Sequence, residues 1–520
     1  MDRTTTRSST TFSPLGRDRL GPNLAPLLLA VLMSACGPAG TLAPEAGFAG
    51  SSTDAPVTRE TDRPNRPPRI AGGSADIEGP DPPASAAPRG EALWAKRLGG
   101  EGTDMGVAVA IDGLDNLFVA GQFIGTTDLG NARTITSKGL EDIFLVKMSP
   151  RGQVLWARVF QGPGHDYAND VAVDEDGNAY LTGAFTREIS IGERTHDCRG
   201  VHDIFVAKVS PAGEVLWSRA FGDRHDQISL RAEAAPGGGV FLAGWFRGNV
   251  RPARKRHGSY PDKAIFVALL DGNGKGVWSD SFGHVYDYAD PGLVPLEDGG
   301  LFLAAGSDPT RELTGKKFRR VDRMEDLGLV LARYGANGRL AWRKLRGGGS
   351  SFMSARAAPF AGGDIAVAGT FGGYLDLGES RLEARSRSDL FIARLTGDGA
   401  PLWRFTGTGS RFQSIAGVAV STDSTVFATG QFEGGPLRLG DEVIQGNGYM
   451  DIFVAAFSGD GAILWSRAFG DDQIQWPGDM VVDSAGNPVI VGAFAGSVDF
   501  GNREITSAGG HDVFVVKLRP

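Results

Sequence analysis

A tryptophan returns every 61 to 64 residues through most of this 520-residue chain, at Trp94, Trp156, Trp217, Trp278, Trp342, Trp403 and Trp465. A glycine keeps the same beat at Gly121, Gly183, Gly244, Gly306, Gly369, Gly430 and Gly492. In six of the seven copies a phenylalanine follows that glycine two residues later (Phe123, Phe185, Phe246, Phe371, Phe432, Phe494). In the clearest copy, Asp203 to Gly222, two runs of β-branched and aromatic residues flank Ser-Pro-Ala-Gly-Glu, the pattern of a β-hairpin. A fixed period with strand-type content means a repeat architecture, in which neighbouring units bury one another's faces. One array over residues 91–520 therefore replaces the three or four domains that length alone suggests.

Each unit holds four strands. In the second, Asn169 to Asp174, Ala179 to Phe185, Asp203 to Val209 and Val215 to Phe221 are separated by two Gly-containing turns and one connection of about 17 residues. The strands are continuous apolar runs, as expected when both sheet faces are covered. Radial repetition of four-stranded sheets is the propeller solution to exposed strand edges. Phasing predicts the closure. The last unit stops at Asp512-Val-Phe-Val-Val-Lys-Leu-Arg-Pro520 without its Trp strand, whereas the array begins on Glu91-Ala-Leu-Trp-Ala-Lys-Arg-Leu-Gly99, a Trp strand with nothing before it. Residues 91–99 are expected to complete the blade built from residues 478–519, giving an all-β, seven-bladed propeller. Closing so long a loop adds little entropy, because the cost grows only logarithmically with length.

The Val-Asp-x-x-Gly-Asn turn (Val173 to Asn178, Val482 to Asn487), Gly-x-Phe, Asp-x-Gly (Asp128 to Gly130, Asp376 to Gly378, Asp499 to Gly501) and Asp-Ile-Phe-Val together resemble the SBBP β-propeller repeats of bacterial surface proteins. The resemblance covers residues 91–520 and implies the fold, with almost nothing about activity. Ser190 and Arg438 replace the Asp of Asp-x-Gly in units two and six, and units three and four lack the motif.

The N-terminus reads as an export signal: Arg3, Arg7, Arg17 and Arg19, then an apolar core from Leu24 to Met33, then Ser34-Ala35-Cys36. Leu-Met-Ser-Ala-Cys resembles a bacterial lipobox, which implies removal of residues 1–35 and diacylation of Cys36, palmitate included; an ordinary cleaved signal is the alternative. Several acyl chains at about 0.8 kcal/mol per buried CH₂ would anchor the protein stably. Gly37, rather than Asp, implies the outer membrane or cell surface under the lipoprotein sorting rule. Residues 36–90, rich in Pro, Ala, Gly and Ser, have too little apolar surface to offset ordering entropy and read as a disordered tether reaching roughly 40 Å. With Cys36 lipidated, Cys198 is left without an intramolecular partner.

A net charge of -8 argues against nucleic acid as a partner. Within that acidic background one feature breaks the repeat. The long connection of unit three carries Arg251, Arg254, Lys255 and Arg256, and that of unit four carries Lys316, Lys317, Arg319, Arg320 and Arg323. If these connections lie side by side they form a basic patch able to attract phosphate or carboxylate groups; drifted, solvated loops are the alternative. Other constellations have plainer explanations. Asp104, Asp166, Asp226 and Asp287 follow the tryptophans by nine or ten residues, as a ring of carboxylates for a cation or as turn caps, with caps the simpler reading. The Asp142, Asp203, Asp389, Asp451 and Asp512 series opens the third strand and reads as structural. Asp174, Asp176 and Asn178 are spaced like calcium-loop ligands, but the closing Glu is replaced by Phe185. His196, Cys198 and His202 are zinc-type ligands without a fourth. The tryptophans are expected on the seams between blades, each with a partner for its indole N–H; docking of a quinone cofactor, as in eight-bladed propellers, is the remote alternative.

No catalytic motif stands out, and no cofactor is expected. The expectation is a monomeric, lipid-anchored envelope protein whose propeller is a non-catalytic platform for an anionic glycan or a protein partner. The rival is a hydrolase or lyase acting on polysaccharide. Carboxylates with raised pKa in the central channel would favour the rival, and a dry, apolar channel the platform.

Overall fold

The computed structural model describes residues 88–130, 134–285, 290–307, 328–347, 352–378, 381–386 and 388–520. Residues 1–35 with the lipobox, Cys36, the tether up to residue 87, Asp287, and the blade-four cations Lys316, Lys317, Arg319, Arg320 and Arg323 lie outside them. Seven sheets of four antiparallel strands are arranged in a ring. Blade 2 shows the plan, with strands Asp166–Val173, Ala179–Phe185, Asp203–Val209 and Val215–Phe221 running from the centre outward. The last three coincide with the sequence expectation. The first begins three residues earlier, because a bulge between Ala168 and Asp170 keeps the chain paired past the irregularity.

Each inner strand touches that of the next blade, and the inner strand of blade 7, Gln475–Val482, touches that of blade 1, Thr103–Ile111. The ring closes as the phasing requires. Ala92–Gly100 pairs antiparallel with Asp512–Leu518, from Ala92 opposite Leu518 to Leu98 opposite Val513. Gly90 N–H donates to Arg519 O at 3.1 Å and Arg519 N–H to Glu91 O at 2.9 Å, extending the closure past the last ladder pair.

The core lies on the seams rather than within blades. One cluster joins Phe118, Leu145 and Phe160 of blade 1 to Val171, Leu181 and Phe205 of blade 2; another joins Val491, Val513 and Val515 of blade 7 to Val119, Phe144 and Val146 of blade 1. Each such side chain contributes about 1.5–3 kcal/mol through burial. The repeated tryptophans complete the seams. The indole N–H groups of Trp94, Trp156, Trp217, Trp278 and Trp403 donate at 2.8–3.2 Å to Pro150, Pro211, Gly272, Ala336 and Gly459 carbonyls in the third-to-fourth-strand turn of the next blade. The glycine of that turn is there for two reasons. Gly338 has φ +75°, and a Cβ on it would collide with the Trp278 ring.

The 17-residue connection is more ordered than its sequence suggests. In blades 1, 2 and 6 it folds into a short hairpin that reaches across the seam to the preceding blade's outer strand. Thr126–Asp128 pairs with Gly99 and Gly100 of blade 7, Gly435–Leu439 pairs with Gly407 to Gly409 of blade 5, and Ser190 bridges Gln161 of blade 1. These straps cover part of the outer edges that would otherwise stand open.

Candidate functional site

In blade 3 the same connection becomes an extension of its two strands, Gly239–Val250 and His257–Leu270, with Arg251 to Arg256 at the tip. The tip folds back on its own blade's outer strand, Gly276–Val285. His257 there meets the hydroxyls of Ser281 and Ser279 at 2.9 and 2.8 Å. Asn249 anchors the other side, its backbone N–H and side-chain Nδ2 both donating to Asp223 at 2.9 Å. Arg251, Arg254, Lys255 and Arg256 are all exposed. Among the described residues only Lys255 makes an ion pair, at 3.6 Å to Asp280; Arg251 and Arg256 bond to the Arg254 carbonyl and the Asn249 amide, both neutral. The hairpin is thus a rigid stalk presenting four cations that the protein itself barely neutralises.

The centre holds a second group of charges. Asp170, Arg231, Arg356 and Asp479 each face the residue just before a marker glycine (Thr182, Ala243, Ala368, Val491), so they occupy one level of the ring. Blades 1 and 6 place Ala108 and Gly417 at that level. Asp290 of blade 4 joins them. Arg231 donates to both Asp290 oxygens at 3.0 and 2.9 Å and lies 3.5 Å from Asp170; Arg356 lies 2.5 Å from Asp290 and donates Nε to Ala416 O at 2.6 Å. Signs alternate along blades 2 to 5: Asp170, Arg231, Asp290, Arg356. Asp170 also accepts the N–H groups of Ala232 and Val171 at 2.8 and 2.9 Å. Beside this network a cavity of about 230 Å³ is lined by Glu233, Asp479 and apolar residues such as Val109 and Val418.

Burial raises the carboxyls of Asp170, Glu233 and Asp479, and Glu233, close to Asp170 and Asp479, is pushed up to about 8. Against the burial that would raise it too, Arg231 and Arg356 hold Asp290 below the usual carboxylate range. Glu233 and Asp479 are half-buried and line the cavity together with Val109 and Val418. The channel is therefore not the dry, apolar one that would have favoured a pure platform.

The other sequence candidates resolve into structure. Asp174 caps its turn, accepting from Asp176 N, Asn178 N and Asn178 Nδ2 at 2.9–3.1 Å and pairing with Lys208 at 3.0 Å. Asp112–Lys147 and Asp483–Lys517 repeat the pair in blades 1 and 7 at 3.0 and 2.9 Å, so in each turn the carboxylate is already paired with a buried lysine. His196 binds Ser218, Cys198 faces Gly200 O, and His202 binds Asp226; no group of three metal-type ligands forms among the described residues. Burial pushes the Cys198 thiol up to about 11, which disfavours the thiolate that a metal ligand or nucleophile needs. The aspartate series was misregistered at Asp226. Gln227, not Asp226, sits where Asp104 and Asp166 sit, each facing the Phe after the marker glycine, and Gln413 and Gln475 hold that place in blades 6 and 7. Gln227 lies ten residues after Trp217, the spacing that Asp104 and Asp166 keep from Trp94 and Trp156, so the series was read one residue short at Asp226. What sequence reading missed was the channel group. Its signal was present: a charged residue inside the apolar first strand of units two, three, five and seven.

Residues 156–184 match the family model described as SBBP, beta-propeller repeat. The chain is 25% identical over 475 residues to the regulatory protein FlaEY of Caulobacter vibrioides, covering 84% of this chain and 48% of that protein. It is 24% identical over 230 residues to an uncharacterized WD repeat-containing protein of Acanthamoeba polyphaga mimivirus, covering 37% of this chain and 17% of the other. The chain thus spans about half or less of the length of these curated relatives. Among solved structures it is similar to Sqt1 from Chaetomium thermophilum (13% identity, TM-score 0.38, 80% of this chain and 86% of that one). It is also similar to the α-L-arabinofuranosidase Arb93A from Fusarium graminearum (11% identity, TM-score 0.34, 67% and 93%). Likenesses this distant carry no argument about function.

Proposed function

We propose that this seven-bladed β-propeller of SBBP-type repeats is a non-catalytic interaction platform of the cell envelope, tethered through lipid on Cys36, that binds an anionic glycan or an acidic protein surface at the tip of the blade-three hairpin. The observation that carries this reading is the set of four exposed cations, Arg251, Arg254, Lys255 and Arg256, with a single ion pair among them in a protein of net charge -8. Unspent positive charge on a braced stalk attracts phosphate or carboxylate groups and speeds encounter with them. Lys316, Lys317, Arg319 and Arg320, next along the chain in blade 4, extend the same surface if their connection lies beside it.

The test compares the full-length protein with a variant carrying Gln at Arg251, Arg254, Lys255 and Arg256, against the cell's own acidic envelope glycans and membrane proteins. Binding that weakens with added salt and is lost in the variant supports the platform. Equal binding by both proteins, or by neither, overturns the hairpin as the site.

A second reading rests on the channel. Glu233 with a raised pKa beside Asp479 is the kind of acid a polysaccharide hydrolase or lyase needs, and the cavity reaches both. Against it, Asp170 and Asp290 are tied to arginines. Release of reducing ends from envelope polysaccharide by the wild type, abolished in Glu233→Gln, would favour this reading over the platform.

A further inference from the structure

The repeat lets the seams be compared position by position. Three loop positions come together at the same end of each seam. One lies four residues before the third-strand Asp, and one follows the Phe that ends the second strand. The third lies three residues before the seam's own Asp or Gln (Asp104, Asp166, Gln227, Gln413, Gln475). Between blades 2 and 3 all three are arginines: Arg199, Arg224 and Arg247. The other four seams described at these positions carry one cation at most. They hold Lys138 with Pro163 and Thr186, Arg385 with Ser410 and Glu433, Asn447 with Asp472 and Ala495, and Ala508 with Glu101 and Ile124.

Backbone contacts hold the three arginine loops together. Val201 N–H donates to His225 O at 2.9 Å and Arg247 N–H to Asp226 O at 2.8 Å. A Cβ on Gly200 would collide with the Asp223 and His225 carbonyls, and one on Gly248 with Asp223 Oδ1. Arg199, Arg224 and Arg247 are all exposed, and none makes an ion pair among the described residues. The acids beside them are already occupied. Asp223 accepts from His225 N, Asn249 N, Asn249 Nδ2 and Gln227 Nε2, and Asp226 is bonded to His202. From here the line of cations runs into the hairpin. Asn249 Oδ1 accepts Arg256 Nε at 3.1 Å, and Arg251 Nε reaches Arg254 O at 3.2 Å. The tip ends against the start of the outer strand, where a Cβ on Gly276 would collide with Pro252 O. That strand, Gly276–Val285, has 10 residues, so at about 3.3 Å per residue the line covers roughly 30 Å from loops to tip.

We propose that this line of cations is the track of a linear anionic polysaccharide, which lies along the seam between blades 2 and 3 from the arginine loops to the hairpin tip. The proposal rests on the platform reading above and extends its site to three loops outside the hairpin. A single phosphate or carboxylate reaches one end of the track and gains nothing from the other. A folded acidic protein meets either the loop face or the rim, whereas a thin chain with repeated charges follows both. Once one end is held, contact at the other becomes intramolecular, which multiplies affinity without a new kind of contact.

The probe is oligogalacturonate of graded length, from dimer to dodecamer, titrated by calorimetry into the full-length protein. Wild-type affinity should climb at least about tenfold from the shortest to the longest chain, and fall with added salt. One variant carries Arg199→Gln, Arg224→Gln and Arg247→Gln, and a second carries Arg251→Gln, Arg254→Gln and Arg256→Gln. Each should lose the gain with length while keeping the weak binding of short chains. Both should melt at the wild-type temperature, which separates lost binding from a lost fold. A gain with length that survives in either variant overturns the track. If the loop variant alone keeps it, the hairpin still stands as the site of the platform. No binding by the wild type at millimolar oligomer also overturns the track. An acidic envelope protein bound by the wild type and lost in the hairpin variant would then leave the platform reading in place.

Discussion

The channel network and the blade-three hairpin are built from the same residue types and differ in what surrounds them. In the channel, buried Arg231 is bonded to Asp290 and Asp170 and half-buried Arg356 to Asp290, and their charge is consumed locally. On the hairpin, Arg251, Arg254 and Arg256 face water, and their charge is felt only at a distance. Removing a buried partner strands another charge away from water, whereas removing an exposed one costs almost nothing in stability. The first group therefore holds the ring together and the second is free to recognise something else.

The most drastic way to separate the two is to open the ring. Deleting residues 91–99 removes the outer strand of blade 7 and exposes the edge of Asp512–Leu518. The expected result is loss of cooperative unfolding and aggregation, seen by circular dichroism and size-exclusion chromatography; a deletion that stays folded and monomeric would show that the channel does not need closure. Next in size, Arg231→Met should cost about 3–5 kcal/mol, because Asp170 and Asp290 lose their buried partner. Denaturant melts measure it, and a loss below about 1 kcal/mol, the level of an exposed pair, would erase the contrast with the hairpin.

A third test uses pH. With Glu233 raised to about 8, the native state holds one more proton than the unfolded chain from the ordinary Glu range up to that value. Its contribution is complete at low pH and is lost as pH rises through about 8, by at most about 1.4 kcal/mol per pH unit. Glu233→Gln should flatten that decline in melts between pH 5 and 9; an unchanged slope would place the titration elsewhere. The smallest effect belongs to the hairpin. Gln at its four cationic positions should shift stability by no more than about 0.5 kcal/mol while altering binding and its salt dependence. A large loss of stability would mean that the hairpin charges are structural after all.

Much of this was readable before any coordinates. The tryptophan and glycine periods fix blade number, the turn residues fix three strands of blade 2 to the residue, and the split final unit names its own completing strand. Asp174, Asn178 and the Asp-x-Gly turns were legible because local hydrogen bonds to backbone N–H determine them. The seam-crossing straps were not, since Glu188–Ile191 and Arg194–Asp197 are only four residues each, and they become strands by pairing with each other and bridging the preceding blade at Ser190. Asp226 was misplaced because an acid one position short of the constant ten-residue spacing reads like a member of the series, although one step along a strand turns a side chain to the other face.

The sequence by itself determined the ring: a period of about 61 residues, seven buried faces and a chain whose two ends complement each other leave no other way to cover the strands. What the tertiary structure alone decided is which charges meet. Asp170, Arg231, Asp290, Arg356 and Asp479 come from five blades. Electrostatic pairing depends on distance in space and on the water that burial removes, and neither is written in the order of residues.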